Sequence, residues 1–313
     1  MKRLLLATDG SGHALGASRY LADLYQGTPD VEITILHISP PVPPIYREER
    51  HDPQIQKVYG AWKKGKEQDA QRYLEESLRF LQKGGFKRSR IKTKHIQQVV
   101  GVARDIVREA DAEHDDACVI GKKGMGWFDE VFLGSITSKL LEISENRPVW
   151  LVSGNRGDSR KVLVAMDHTA QTVQLAGYVG RMLQGLEGVH IRFYHYCAPF
   201  TEDLTAEERK KMREIEKQMV ASERSQMLHF FGEAQKVLAD LGFDRETVEY
   251  GFSQGRSASP RKVSQRILEE VREGKYGTLV IGRKGATGAR EFRLGSVSWR
   301  IATGAENCAV WVV

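Results

Sequence analysis

The chain has 313 residues, of which 41% are hydrophobic and 28% are charged, and its formal net charge is +6. This composition is typical of soluble globular domains, and no stretch approaches the roughly 20 apolar residues of a transmembrane helix. The length predicts two domains. The mild positive charge suits an anionic ligand, but the basic residues form no stripe interleaved with aromatic residues, so nucleic-acid binding is not indicated.

The N-terminal sequence and the cysteine pattern indicate the cellular compartment of the protein. The apolar run after Lys2-Arg3 breaks at Thr8-Asp9-Gly10, short of the roughly 7 to 15 residues of a signal-peptide core. Cys118, Cys197 and Cys308 are scattered, with no Cys-x-x-Cys pair. This pattern predicts buried thiols rather than disulfides or a metal site. We therefore expect a cytoplasmic protein with no membrane segment and no metal centre.

The first half alternates predicted strands and helices. The strands are expected at residues 3–8, 32–38, 91–100, 117–120 and 148–152, and the helices at 14–25, 55–81 and 103–112. This alternation indicates a mostly parallel sheet covered by helices on both faces. The second half repeats the order, and its long helix is predicted to begin at a capping box of Thr205 and Glu208.

The two halves also match residue by residue. The apolar segment 4–9 recurs at 162–167, and Val-Trp-Leu-Val at 149–152 recurs as Val-Trp-Val-Val at 310–313. A polar, glycine-rich stretch at 154–159 separates the copies. We predict two tandem α/β domains, 1–153 and 160–313. Each is expected to be a doubly wound, Rossmann-like fold with a five-stranded, mostly parallel sheet and about four helices.

A glycine pattern, Gly-x2-Gly-x9-Gly-Ser, occurs once in each half. The copies are Gly121, Gly124, Gly134 and Ser135, and Gly282, Gly285, Gly295 and Ser296. Each copy follows an apolar run that ends in Val-Ile and leads into a helix-like stretch. Such a loop turns backbone N–H groups and a helix N-terminus toward one point, which suits a phosphate group.

An aspartate follows the first predicted strand of each half, at Asp9 and Asp167. In open α/β sheets the ligand lies beyond the carboxyl ends of the strands, where the strand order reverses. We therefore expect the aspartate and the glycine loop to meet in one crevice per domain. The alternative is that each aspartate only caps a turn. The matched His37 and His195 at strand ends are interpreted as structural residues.

These features together resemble the universal stress protein family in its tandem two-domain form. The resemblance rests on Ala7-Thr8-Asp9-Gly10-Ser11, on Leu36-His37-Ile38, on the Ala-Arg-Asp-Ile-Val segment 103–107, and on the complete glycine patterns. It covers nearly the whole chain, twice. The glycine pattern after a strand is specific for the branch of the family that binds ATP. The resemblance implies an ATP-binding (with Mg²⁺) regulatory protein of the stress response.

The resemblance also implies which residues hold the nucleotide. They are Ala7, Thr8, Asp9, Ile38, Gly121, Gly124, Gly134, Ser135 and Ile136 in the first half, and Asp167, Tyr196, Gly282, Gly285, Gly295, Ser296 and Val297 in the second. Asp9 is expected near the ribose and adenine, the Ile38 backbone at the adenine, and the glycine loop at the ribose and phosphates. The last strands of the two halves are expected to pair as an intramolecular pseudo-dimer. A further homodimer and the identity of a protein partner stay open.

The second half departs from the pattern in two places. Met166-Asp167-His168-Thr169 replaces Thr8-Asp9-Gly10-Ser11, and Gly255 precedes Ile267 by twelve residues whereas Gly101 precedes Ile106 by five. By the resemblance, the apparent seven-residue excess lies where the third strand approaches the adenine base.

Two alternative functions follow. One is a slow ATPase or phosphotransferase, for which no Walker or kinase signature and no catalytic residue is found. The other is a scaffold that binds a non-nucleotide ligand, such as a lipid or an acidic metabolite, in the second half.

Overall fold

The computed structural model describes residues 1–28, 30–122, 133–145, 147–154, 157–167, 169–198, 205–283 and 294–313. These residues form two compact units. Residues 1–122 and 134–152 belong to the first unit, and residues 153–154 and the described residues from 157 to 313 belong to the second. Among the described helices, none combines the length and the apolar character that crossing a bilayer requires.

The first unit is a parallel sheet with helices on both faces. Its strands are β1 (Lys2–Ala7), β2 (Val31–Ser39), β3 (Ile91–Gln97), β4 (Ala117–Gly121) and β5 (Val149–Ser153), in the order β3-β2-β1-β4-β5. Its helices are α1 (Gly12–Leu24), α2 (Ile45–Glu48), α3 (Pro53–Lys83), α4 (Val102–Ala112) and α5 (Ser135–Ile143). Helix α1 packs on α3, and α4 packs on α5.

The second unit repeats this architecture. Its strands are β6 (Asp158–Ala165), β7 (His190–Cys197), β8 (Val248–Gln254), β9 (Tyr276–Ile281) and β10 (Cys308–Val312), in the order β8-β7-β6-β9-β10. Its helices are α6 (Gln171–Leu183), α7 (Ala206–Lys211), α8 (Arg213–Asp240), α9 (Pro260–Glu273) and α10 (Ser296–Gly304). The predicted tandem of Rossmann-like folds is confirmed. The strand order reverses between β1 and β4 and between β6 and β9.

The central strands are apolar along their whole length because helices cover both faces of each sheet. Leu4, Leu5 and Leu6 of β1 are completely buried, and so are Val162, Leu163 and Val164 of β6. Strands β1 and β6 are therefore the middle of each core. Their carboxyl ends lie beside those of β4 and β9, where the sequence predicts the crevice.

Strand β3 ends three residues earlier than the sequence predicts. The reason is Asp105, a buried side chain in the first turn of α4. Its carboxylate accepts hydrogen bonds from the backbone N–H groups of Val99 (2.9 Å), Val100 (3.3 Å) and Gly101 (3.3 Å). These N–H groups donate to the start of α4, so they are not available to extend the sheet.

Two boundaries in the second half also differ from the prediction. The capping box at Thr205 is present, with Glu208 Oε2 accepting from the Thr205 backbone N–H at 2.8 Å. However, it caps the short helix α7, and the chain turns at Met212 before α8 begins. The predicted linker 154–159 is also too long, because β6 begins at Asp158.

The predicted seven-residue excess before Ile267 is wrong. Gly255 donates its N–H to the Cys197 carbonyl, as Gln98 donates to Ser39 in the first unit, so Gly255 corresponds to Gln98 and not to Gly101. Counted from the strand ends, Ile106 lies nine residues after Gln97 and Ile267 lies thirteen after Gln254. The excess is therefore four residues. Three of them lengthen the helix, since α9 has 14 residues and α4 has 11.

Candidate functional site

The first strand of each unit ends in the same aspartate turn. Asp9 Oδ1 accepts from the Ser11 backbone N–H at 3.0 Å, and Asp167 Oδ1 accepts from the Thr169 N–H at 3.1 Å and from the Thr169 hydroxyl at 2.7 Å. Both side chains therefore cap turns. Asp167 Oδ2 is buried and has no hydrogen-bond partner among the described residues. Buried polar atoms are usually paired, so this oxygen suits a donor from a ligand.

In the first unit, Thr8 holds the turn in place through three hydrogen bonds. Its hydroxyl accepts from the Gly10 N–H at 3.3 Å and from the Ser77 hydroxyl at 3.2 Å. Its carbonyl oxygen accepts from His37 Nδ1 at 2.8 Å, which gives His37 the structural role expected for it. Gly10 has a φ of +76°, and the Tyr73 ring lies where a side chain on Gly10 would be. These contacts fix the backbone that carries Asp9.

The predicted strand-end residues of the first unit come together. Ala7 pairs in register with Leu36 of β2 and with Ile120 of β4. Ala7, Thr8, Asp9, Ile38 and Gly121 therefore lie at the carboxyl ends of three adjacent strands.

The helix-start residues of the first unit lie at the beginning of α5. Gly134 is its N-cap, and Ser135 and the 46%-exposed Ile136 are its first residues. Gly124 lies outside the described residues.

A cavity of about 330 Å³ opens at the same place in the second unit. Six predicted residues line it, namely Asp167, Tyr196, Gly282, Gly295, Ser296 and Val297. Gly285 lies outside the described residues. The volume is at the lower end of the range of small-molecule sites, which is roughly 300 to 1,000 Å³.

The start of α10 forms one wall of the cavity. The Gly295 N–H donates to the Arg283 carbonyl at 2.7 Å, and the Ser298 hydroxyl donates to the Gly282 carbonyl at 2.7 Å. These bonds tie the two ends of the glycine segment together. Gly295 is the N-cap and supplies no side-chain cap. The first-turn N–H groups and the positive end of the helix dipole are therefore directed at the cavity. This arrangement favours the binding of an anion.

Apolar side chains form another part of the cavity wall. Pro260, Val263 and Ile267 of α9 line the cavity. The segment before α9 is held by the Tyr196 hydroxyl, which donates to the Ser257 carbonyl at 3.0 Å, and the Tyr196 ring lies on Gly255. The lengthened α9 therefore builds the cavity wall instead of filling the cavity.

A polar cluster that sequence analysis missed lies beside this cavity. His195 Nε2 is 2.7 Å from Glu223 Oε1, and both residues line the cavity. The thiol of Cys197 is buried nearby, and burial, with a further contribution from Glu223, raises its pKa to about 12. The alternation of His195 and Cys197 on one strand face was visible in the sequence. The approach of Glu223 was not, because it depends on how α8 packs across β7.

The sequence as a whole matches a known family. The profile of the universal stress protein family matches residues 1–153 and again residues 159–313. The fold and the repeated strand-end turn define a tandem of α/β domains, and the chain belongs to the universal stress protein family in a tandem two-domain form.

Solved structures share this fold. A universal stress protein from Archaeoglobus fulgidus DSM 4304 is 19% identical, with a TM-score of 0.57 over 99% of this chain and 95% of that one. A functionally unknown protein from Pseudomonas aeruginosa is 16% identical, with a TM-score of 0.57 over 100% and 92% of the two chains. Identities this low establish the common fold alone. None of the curated proteins compared with this sequence matches it significantly.

Proposed function

We propose that this chain is an ATP-binding regulatory protein of the stress response and that each domain takes one nucleotide with Mg²⁺ at its strand ends. The observation that carries the proposal is the cavity of the second domain. Six positions chosen from the sequence line it, at or just beyond the ends of β6, β7 and β9 and at the start of α10.

The phosphates are assigned to the glycine segment and the start of α10. Gly282 and Gly295 line the cavity, and the N–H groups that begin α10 carry no side-chain cap. Helix N-termini of this kind bind phosphate through backbone N–H groups and the helix dipole. The Ser296 hydroxyl is exposed and supplies a further donor.

The nucleoside is assigned to the other end of the cavity. Asp167 Oδ2 needs a donor, and a ribose hydroxyl supplies one. Val263 and Ile267 offer an apolar surface for adenine beside the Tyr196 backbone. The first domain has the same aspartate turn and the same glycine spacing, so we extend the proposal to Asp9 and its loop.

The proposed role is regulatory. Pairing of the two domains through β5 and β10 stays a prediction, as does a protein partner that responds to the nucleotide. Slow ATP hydrolysis is tested by release of inorganic phosphate above a control without protein.

The test is calorimetric titration of the full chain with ATP and Mg²⁺. Asp9→Asn and Asp167→Asn keep the turn-capping oxygen and convert the second oxygen into a donor group. We expect two equivalents in the wild type and a loss of roughly tenfold in affinity at one site in each variant, which corresponds to about 1.4 kcal/mol. A wild type that does not bind overturns the proposal. Loss in Asp9→Asn alone, with one equivalent in the wild type, restricts the nucleotide to the first domain and assigns the second cavity to another ligand.

A further inference from the structure

Three metal-ligating side chains converge on one face of β7 in the second domain. The ligand atoms of His195, Cys197 and Glu223 all lie within 4.8 Å of one another. His195 and Cys197 alternate on the strand and are almost completely buried, and Glu223 reaches them from α8 with a side chain that is 19% exposed. An imidazole, a thiol and a carboxylate are thus held together in a largely buried site.

This donor set is suited to a particular class of cation. Nitrogen, sulfur and oxygen ligands in one group favour Zn²⁺ or a similar borderline metal over Mg²⁺ or Ca²⁺, which prefer oxygen alone. Three protein ligands leave a fourth tetrahedral position, as in open zinc sites. Glu223 and His195 also line the cavity, so a cation reaches the cluster from there.

A neighbouring hydroxyl points to the same location. The Tyr250 hydroxyl is buried and has no hydrogen-bond partner among the described residues. Tyr250 lies close enough to Arg224, Cys197 and Glu223 to interact electrostatically with all three. A buried oxygen that has no hydrogen-bond partner among the described residues therefore lies beside the three ligand side chains.

The first domain provides an internal comparison. His37 occupies the position of His195, but Ser39 replaces Cys197, since Ser39 pairs with the last residue of β3 as Cys197 pairs with the last residue of β8. The Ser39 hydroxyl is bonded to His95 Nε2 at 2.8 Å. Lys66 replaces Glu223, because both lie seventeen residues before the ends of α3 and α8. Two of three ligands are thus missing from the first copy.

We propose that His195, Cys197 and Glu223 bind one zinc-like divalent cation in the second domain. The cation takes the imidazole nitrogen, a carboxylate oxygen and the thiolate sulfur, and the thiol proton is released to solvent on binding. The site departs from the sequence-based expectation of no metal centre. It stands independently of the nucleotide proposal, because it uses a different set of ligand atoms.

The test uses the untagged full chain and Co²⁺ as a spectroscopic probe, with Zn²⁺ as competitor. We expect one equivalent of Co²⁺ to bind with release of about one proton per chain and with a thiolate-to-cobalt charge-transfer absorption. Zn²⁺ should then displace Co²⁺ without further proton release. Cys197→Ser should abolish the absorption. The matched controls Cys118→Ser and Cys308→Ser, which remove the other buried thiols, should retain it.

A second variant keeps the test decisive if Cys197→Ser does not fold. Glu223→Lys introduces the first-domain residue at a partly exposed position, and it should weaken Co²⁺ binding by roughly tenfold or more, about 1.4 kcal/mol or more. Absence of the charge-transfer absorption in the wild type overturns the proposal. Its persistence in Cys197→Ser, or unchanged affinity in Glu223→Lys, does so as well.

Discussion

The backbone of His13 occupies the space that a side chain on Gly121 would need. The start of α1 rests directly on the end of β4, so this glycine is required by packing whether or not a ligand binds. At the matching Gly282 of the second domain, the nearest atoms belong to the end of the Gln171 side chain. The same position of the glycine pattern is therefore confined by backbone atoms in the first domain and by a side chain in the second.

This difference predicts unequal effects of the same substitution. Gly121→Ala should destabilise the first domain by about 1 to 3 kcal/mol, because backbone atoms must shift to admit the methyl group. Gly282→Ala should cost less than about 1 kcal/mol, because the Gln171 side chain can rotate away. Denaturant unfolding, analysed with a separate transition for each domain, measures both. Equal losses would show that the two glycines are constrained alike.

Asp115 should make the stability of the first domain depend on pH. Burial raises its pKa to about 6, against the opposing effect of Arg147, and Asp115 Oδ2 has no hydrogen-bond partner among the described residues. The folded state therefore binds this proton more tightly than the unfolded state. Its contribution to stability is complete below about pH 4 and is lost as the pH rises through about 6.

Asp115→Asn removes the ionised form. The variant should be more stable than the wild type at pH 7.5 by about 2 kcal/mol, and the advantage should disappear at about pH 4. Thermal unfolding at the two pH values checks this, with Asp240→Asn, at an exposed aspartate at the end of α8, as control. An Asp115→Asn effect of the same size at both pH values would exclude titration as its cause.

Ser298 should affect ligand affinity as well as stability. Its hydroxyl ties α10 to the Gly282 carbonyl at 2.7 Å, and one such bond contributes about 1 kcal/mol to stability. Ser298→Ala frees the glycine segment, so we expect roughly a threefold to tenfold loss of ATP affinity in the second domain, or about 0.6 to 1.4 kcal/mol.

Thr303→Ala is the matched control for this prediction. Thr303 lies in the same helix, and its hydroxyl donates to the Trp299 carbonyl at 2.9 Å within α10. Its substitution should lower stability to a similar degree and leave ATP affinity unchanged. Equal affinity losses in the two variants would indicate a general loosening of α10.

The repeating fold was predictable because its signals are local. Buried parallel strands need uninterrupted apolar runs, and the first residues of β1, β2 and β4 lie within one position of those expected from such runs. The end of β3 was not predictable, because it is decided by Asp105, whose carboxylate draws three backbone N–H groups out of the strand.

The part of the candidate site that lies at the ends of adjacent strands was predictable from the sequence. Asp167 and Gly282 end adjacent strands, so a parallel sheet brings them together. The insertion before Ile267 was misjudged because a count between two glycines cannot distinguish a longer loop from a longer helix. Glu223 was missed for a related reason, since its contact with His195 depends on the packing of α8 across β7 and not on local sequence.

Hydrogen exchange of the full chain, with and without ATP and Mg²⁺, tests the central claim most directly. We expect slower exchange in the backbone N–H groups of residues 296–298 and in the Asp167 turn, with little change in α8. Protection confined to other segments, or no protection at ATP concentrations that saturate binding, would contradict the assignment of the phosphates to the start of α10.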